Sequence, residues 1–129
     1  MGCQQPLTAS ATKGKDQMPA TYDDAAILMQ IVRWGTEMGL DEAGQYIFSE
    51  EFDAGMASTD DLPVGKMLAF GETISALVKH GILDKALVLD LYWIPGTWAR
   101  VGPAAVRERE RLGEPRLYEN YEALAESAR

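Results

Sequence analysis

The residues of this chain able to do chemistry are quickly surveyed, because it has one cysteine and one histidine. Cys3 alone cannot form an intrachain disulfide or a thiolate metal cluster, and it reads as a solvent-exposed thiol. A single histidine excludes the His-Glu-x-x-His zinc pattern, and a Cys-His dyad would require Cys3 to leave its tail. A serine triad would have to run through His80. That residue follows Lys79 at a helix end, where a cation beside the terminal carbonyls is favoured. No glycine-rich phosphate loop, calcium loop or nucleophile elbow is written in the chain. No catalytic residue is nominated, and the chain is expected not to be an enzyme.

What remains is carboxylate and arginine. Glu37, Asp41, Glu50, Glu51 and Asp53 would converge if the first two helices paired, and hard cations need several convergent oxygens. Di-iron bundles, however, combine such carboxylates with Glu-x-x-His on facing helices, which is missing here. No metal and no other cofactor is therefore expected. Glu72 lies on a stripe of small residues, Gly65, Ala69 and Ala76, that would let another backbone come close. A charge there is costly unless paired and hydrogen-bonded. Arg100, Arg107 and Arg111 follow later, the last two on one helix face. A Glu72–arginine bond that fixes helix register is the preferred reading, with Asp90 doing the same for another arginine. The functional alternative is a polar pocket beside Trp93 and Trp98, lined by Glu72, Asp90, Trp98 and Arg107. Tyr92, Trp93 and Trp98 bracket a Pro95-Gly96 break, and an exposed aromatic edge there would suit an interaction hot spot.

The elements that must position these groups are helical. Residues 1–20 carry no apolar period and read as a disordered tail, leaving 21–129 as a single helical domain. Thr21 and Asp24 form a capping-box pattern, after which Ile27, Ile31, Trp34 and Met38 recur at helical spacing, widened by Leu28 and Val32. Gly39 closes this helix. Asp41 caps a second, which ends near Gly55 and buries some combination of Tyr46, Ile47, Phe48 and Phe52. Asp61 caps a third, with Pro63 in its first turn and a stripe from Val64 to Val78. It stops at Lys79-His80-Gly81, and Asp84 caps a fourth helix that carries Leu87, Val88, Leu91 and Tyr92. Thr97 is expected to cap a fifth, either kinked at Pro103 about one turn in or divided there into two short helices, and Glu114-Pro115 to open a sixth with Tyr121 and Leu124 inward. Strand alternation is absent, so the fold class is all-α: a compact bundle of five or six helices.

Charge is unevenly placed. Met1 to Gly65 holds three bases against eleven acids, whereas Lys66 to Arg129 holds nine of each. Between Trp34 and Gly65 there are eight acids and no base. Such a chain repels nucleic acid and anionic membranes unless a basic patch intervenes, and none is visible. No apolar run approaches the roughly 20 residues of a membrane span. Pro6 stands where a myristoylation signal wants Ser or Thr, and nothing apolar precedes Cys3 as a lipoprotein signal would require. A soluble, cytoplasmic protein is expected.

The series Gly71-Glu72, Leu77-Val78-Lys79-His80-Gly81-Ile82-Leu83-Asp84, Leu91-Tyr92, Trp98, Pro103, Arg107, Arg111 and Pro115-Arg116-Leu117-Tyr118 through Leu124-Ala125 resembles an uncharacterised prokaryotic all-helical family, one of the domains of unknown function. The resemblance covers about residues 64–126. It implies that Glu72, Trp98 and Arg107 matter to the family's fold, and it brings no activity or cofactor. The functional expectation is thus a non-catalytic interaction or accessory module that binds a protein partner or a second copy of itself. Its nominated surfaces are the acids Glu50, Glu51 and Asp53 and the aromatics Tyr92 and Trp93. The alternative is a small-ligand sensor with a polar pocket between helices.

Overall fold

A computed structural model of the chain describes residues 19–128. Six helices run through them: α1 (Tyr22–Met38), α2 (Leu40–Ile47), α3 (Leu62–Lys79), α4 (Lys85–Leu91), α5 (Ile94–Leu112) and α6 (Glu119–Ser127). The tail expected over residues 1–20, Cys3 included, lies outside the described residues except for Pro19 and Ala20. No strand occurs among the described residues, and no helix among them is long and apolar enough to cross a membrane.

The α1 start is the predicted capping box. Thr21 Oγ1 accepts the Asp24 amide at 3.2 Å, and the Asp24 carboxylate accepts the Thr21 amide at 2.8 Å. Its other oxygen accepts the Asp84 amide at 3.1 Å, so one fully buried carboxylate ties the start of α1 to the corner before α4. Asp84 in turn accepts the Leu87 amide at 3.0 Å, capping α4 as expected.

Gly39, at φ 80°, both ends α1 and precedes Leu40 at the start of α2. Glycine alone enters this left-handed region without a Cβ penalty. Because the helix resumes at once, Asp41 falls inside its first turn instead of capping it. The second helix also ends at Ile47, well short of Gly55. Phe52 and Ala57 stay buried on the irregular segment that follows, while Phe48 is left exposed. Asp61 precedes α3, but its carboxylate accepts the Ser58 amide at 3.1 Å and makes no side-chain cap.

The central helix is α3, in contact with α1, α2, α5 and α6. Its buried set includes the predicted Val64, Met67, Leu68, Ile74 and Val78, and adds Phe70 and Ser75. Of the stripe Gly65, Ala69 and Ala76, backbone comes close at Gly65, where a Cβ would lie 3.1 Å from the Thr59 carbonyl oxygen; the tightest approach is at Gly71, where a Cβ would fall inside the Tyr121 ring of α6. The fifth helix starts at Ile94, three residues before the expected Thr97 cap, because Pro95 sits in the first turn where no amide is needed. It then runs unbroken through Pro103. The sixth helix starts later than expected, at Glu119. Gly113 ends α5 in the left-handed conformation, residues 115–118 turn, and Tyr118 precedes α6 at φ 59° without a side-chain cap.

Candidate functional site

The hinge between α4 and α5 is two residues long, Tyr92 extended and Trp93 capping α5. A Cβ at Gly96 would overlap the Trp93 indole, so the missing side chain is what lets the ring lie against the first turn of α5. Phe48 stacks on Trp93 with ring centroids 5.5 Å apart and planes 11° apart. Trp93 is thus held in place yet remains 68 % exposed, with Phe48 44 % and Leu91 55 % exposed. Three large apolar side chains gathered at one edge cannot be credited to the core.

Beside them lies a hollow of about 360 Å³ between α2, α3 and the α4–α5 hinge. Phe70, Gly71 and Tyr121 form its buried floor, and Leu40, Gly44, Met67, Leu91, Trp93 and Ile94 contribute its walls. Its polar side chains are Asp41, Gln45, Tyr92, Thr97 and Tyr121. Thr97 Oγ1 lies 2.5 Å from the Tyr121 hydroxyl and donates to the Ile94 carbonyl at 3.3 Å. Burial pushes the Tyr92 phenol up, and the nearby Asp41 carboxylate pushes it further in the same direction.

Tyr121 is fully buried against Trp98, with centroids 5.0 Å apart, and burial drives its phenol well above the usual range against the opposing effect of the Thr97 bond. A folded-state value above the unfolded one means that its stabilising contribution is complete below about pH 10 and is lost as pH rises beyond it. Tyr92 and Tyr118 shift the same way, with smaller consequences because both are more open to solvent. The expected result is a urea midpoint that falls above about pH 10, at up to roughly 1.4 kcal/mol per pH unit for Tyr121 alone. Tyr121→Phe should flatten that slope.

The nominated charges do not meet as expected. Glu72 accepts from Asn120 Nδ2 at 2.8 Å and from the Tyr121 backbone amide at 2.9 Å, so its partners lie on α6 and neither is an arginine. It supplies from a distance the cap that Tyr118 lacks. Glu72→Gln should cost about 1 kcal/mol, since a neutral amide replaces a charged acceptor and turns an NH₂ toward Asn120. Thermal unfolding checks this, and an unchanged midpoint would remove the capping role.

Arg107 donates to the carbonyls of Ala54 and Ala57 at 2.9 and 2.5 Å, and Arg100 donates to the Ile47 carbonyl at 2.6 Å. These two of the four α5 arginines therefore hold backbone at the end of α2 and in the segment after it. Arg111 pairs with Glu108 on the surface, and Asp90 is exposed, although an ion pair was expected of each in the interior. Trp98 is buried, over Gly102 and against Tyr121. None of Glu72, Asp90, Trp98 or Arg107 lines the hollow beside Trp93; Trp98 and Arg107 instead line a separate, more open depression along α5. Of the residues nominated for interaction, Glu50, Glu51 and Asp53 are exposed on the segment that follows Phe48, Trp93 is exposed and Tyr92 half-buried.

Sequence reasoning passed over Arg109, and it read Asp24 only as a cap and Tyr121 only as packing. Arg109 donates to the Leu117 carbonyl at 2.7 Å and pairs with Glu122 at 2.9 Å, fastening the turn before α6. The convergence of Glu37, Asp41, Glu50, Glu51 and Asp53 does not occur. Among the described residues no three His, Cys, Asp or Glu side chains gather as a metal-binding group.

In comparison with protein families, the model of a domain of unknown function (DUF4760) matches residues 17–128, so the resemblance extends to α1 and α2 as well as the C-terminal two thirds. No curated protein and no solved structure matches the chain.

Proposed function

The chain belongs to the DUF4760 family, a domain of unknown function, and from that premise we propose that it is a non-catalytic interaction module that docks a protein partner at the hollow beside Trp93. One observation carries the proposal: Trp93 is 68 % exposed while fixed by Gly96 beneath it and Phe48 against it, at the mouth of an apolar hollow. A free aromatic would lose side-chain freedom on binding, and one already fixed loses little. Tryptophan in such a position is the residue type that dominates interface energetics. The titratable side chains lining the hollow are Asp41 and two tyrosines, Tyr92 and Tyr121, raised above their ordinary range. Phenols poised that high transfer protons poorly at neutral pH, which favours recognition over acid–base catalysis. We place the module in the cytoplasm, as an accessory subunit of a larger assembly.

The second reading keeps the same hollow for a small molecule. Its volume falls at the lower end of the roughly 300–1,000 Å³ typical of ligand sites, and its lining is mostly apolar with a few polar groups.

Native mass spectrometry on protein purified gently from its host, without chelators, separates the two. A complex with another polypeptide supports docking; a small adduct on the bare chain supports the sensor. Once a partner is in hand, Trp93→Ala should weaken binding by about 2 kcal/mol, roughly 30-fold, at an unchanged unfolding midpoint. Full affinity in that variant would place the interface elsewhere.

A further inference from the structure

We infer that the occupant of the hollow is a basic segment of another protein, presenting one large apolar side chain flanked by lysine or arginine. The inference rests on the docking reading above and adds the chemistry of the partner.

The hollow is bordered on one side by α2, which belongs to the stretch between Trp34 and Gly65 that holds eight acids and no base. Among the described residues the only formally charged side chain lining it is Asp41, itself exposed, with Glu42 exposed next to it. Beyond Phe48, the ring that stacks on Trp93, come the exposed Glu50, Glu51 and Asp53. Two bases come near this side. Arg100 has its Nε committed to the Ile47 carbonyl and its guanidinium 5.1 and 6.0 Å from the Phe52 and Phe48 ring centres, and Lys66 lies by Gly39 at the start of α2, with the Glu42 carboxylate beside the same glycine. Neither lines the hollow, and against these two stand the five acids just named, so the surplus of charge on this side is negative.

Size and charge then select the occupant together. A hollow of about 360 Å³ admits a side chain or a short turn and cannot receive the flat face of a domain. The apolar floor of Phe70 and Tyr121 rewards an apolar anchor, because each buried CH₂ contributes about 0.8 kcal/mol. The acids on the α2 side and after Phe48 reject anionic partners and draw in cationic ones, an effect that acts mainly on encounter rate and specificity and weakens with salt. Nucleic acid and anionic membranes are disfavoured by the same charges.

The test is selection of a random peptide library, displayed on phage, against the whole chain, with counter-selection against Trp93→Ala. Enriched peptides are synthesised and titrated while the Gly44 and Thr97 amide resonances are followed. Support consists of peptides that pair Lys or Arg with Leu, Phe, Met or Trp and shift both resonances. These peptides should bind about tenfold more weakly to the combined Glu50→Lys, Glu51→Lys, Asp53→Lys variant. Neutral or acidic peptides that shift the same resonances overturn the basic-partner inference and leave the docking reading standing. Peptides enriched equally by Trp93→Ala, shifting neither resonance, overturn the docking reading itself. A library that yields nothing, or a second copy of the chain found seated on the hollow, overturns the inference.

Discussion

Gly71→Ala should destabilise the fold by about 3 kcal/mol, although alanine in the middle of an ordinary helix stabilises by up to about 1 kcal/mol. The sign is set by Tyr121. A Cβ on Gly71 points into the face of that ring, and the ring has nowhere to go: its other contacts include Trp98, its hydroxyl is bonded to Thr97, and it is fully buried. Relief requires α6 to move away from α3, which breaks the Glu72 bonds to Asn120 and Tyr121 as well. Gly44→Ala in α2 is the matched control. Its nearest neighbour would be the Met67 methyl at 3.9 Å, ordinary contact, so it should be neutral or stabilising by up to about 1 kcal/mol. Urea denaturation of the two variants checks the pair. Equal effects would mean that the Gly71–Tyr121 contact does not constrain the fold. Gly71→Ala combined with Tyr121→Leu should cost less than the sum of the two, because neighbours in contact are not additive.

Asp24→Ala should cost a similar amount, about 3 kcal/mol. The carboxylate is fully buried and receives the Thr21 amide, the Thr21 hydroxyl and the Asp84 amide. Removing it takes away half of a capping box, an effect of about 1 kcal/mol. It also strips the Asp84 amide of its acceptor, and a buried donor left unsatisfied costs a further 1–3 kcal/mol or so. Asp24→Asn keeps one acceptor and should lose less. Chemical denaturation gives the magnitude, and hydrogen exchange locates it: the Asp84 amide should lose protection in Asp24→Ala. Retained protection there would mean that the α1–α4 tie is not what the carboxylate provides.

The local grammar of this chain was legible because caps act over three or four residues. Thr21 with Asp24, the left-handed Gly39, Gly81 and Gly113, and Asp84 with Leu87 all stand where their patterns place them. Asp41 and Asp61 match the same patterns without capping, because the α2 backbone resumes too early and Ser58 takes the Asp61 carboxylate. The arginines of α5 escaped for a different reason. A search for partners looks for acids, whereas Arg100, Arg107 and Arg109 donate to backbone carbonyls, which every residue offers and no side chain advertises. Glu72 was paired with an arginine, whereas its donors, Asn120 and the Tyr121 amide, sit about fifty positions away on a helix whose start had been placed too early. Trp93 stood out as an aromatic at a break. The hollow beside it did not, because its floor is assembled from α3 and α6 and its far wall from α2. No periodicity within one segment encodes a space between three.

The remote capping of α6 has a consequence for the order in which the molecule assembles. Glu119–Ser127 has nine residues, fewer than the 12–15 or so that a helix needs to persist alone in water, and its N-cap residue offers no side chain to the amides of its first turn. Its first-turn acceptor is Glu72, on a helix completed some forty residues earlier in the chain, and its largest side chain needs the groove at Gly71 to exist beforehand. The last helix is therefore a guest of the third: it condenses on a surface already built. Synthesis from the N-terminus suits this dependence, because α3 has left the ribosome before the segment it must receive.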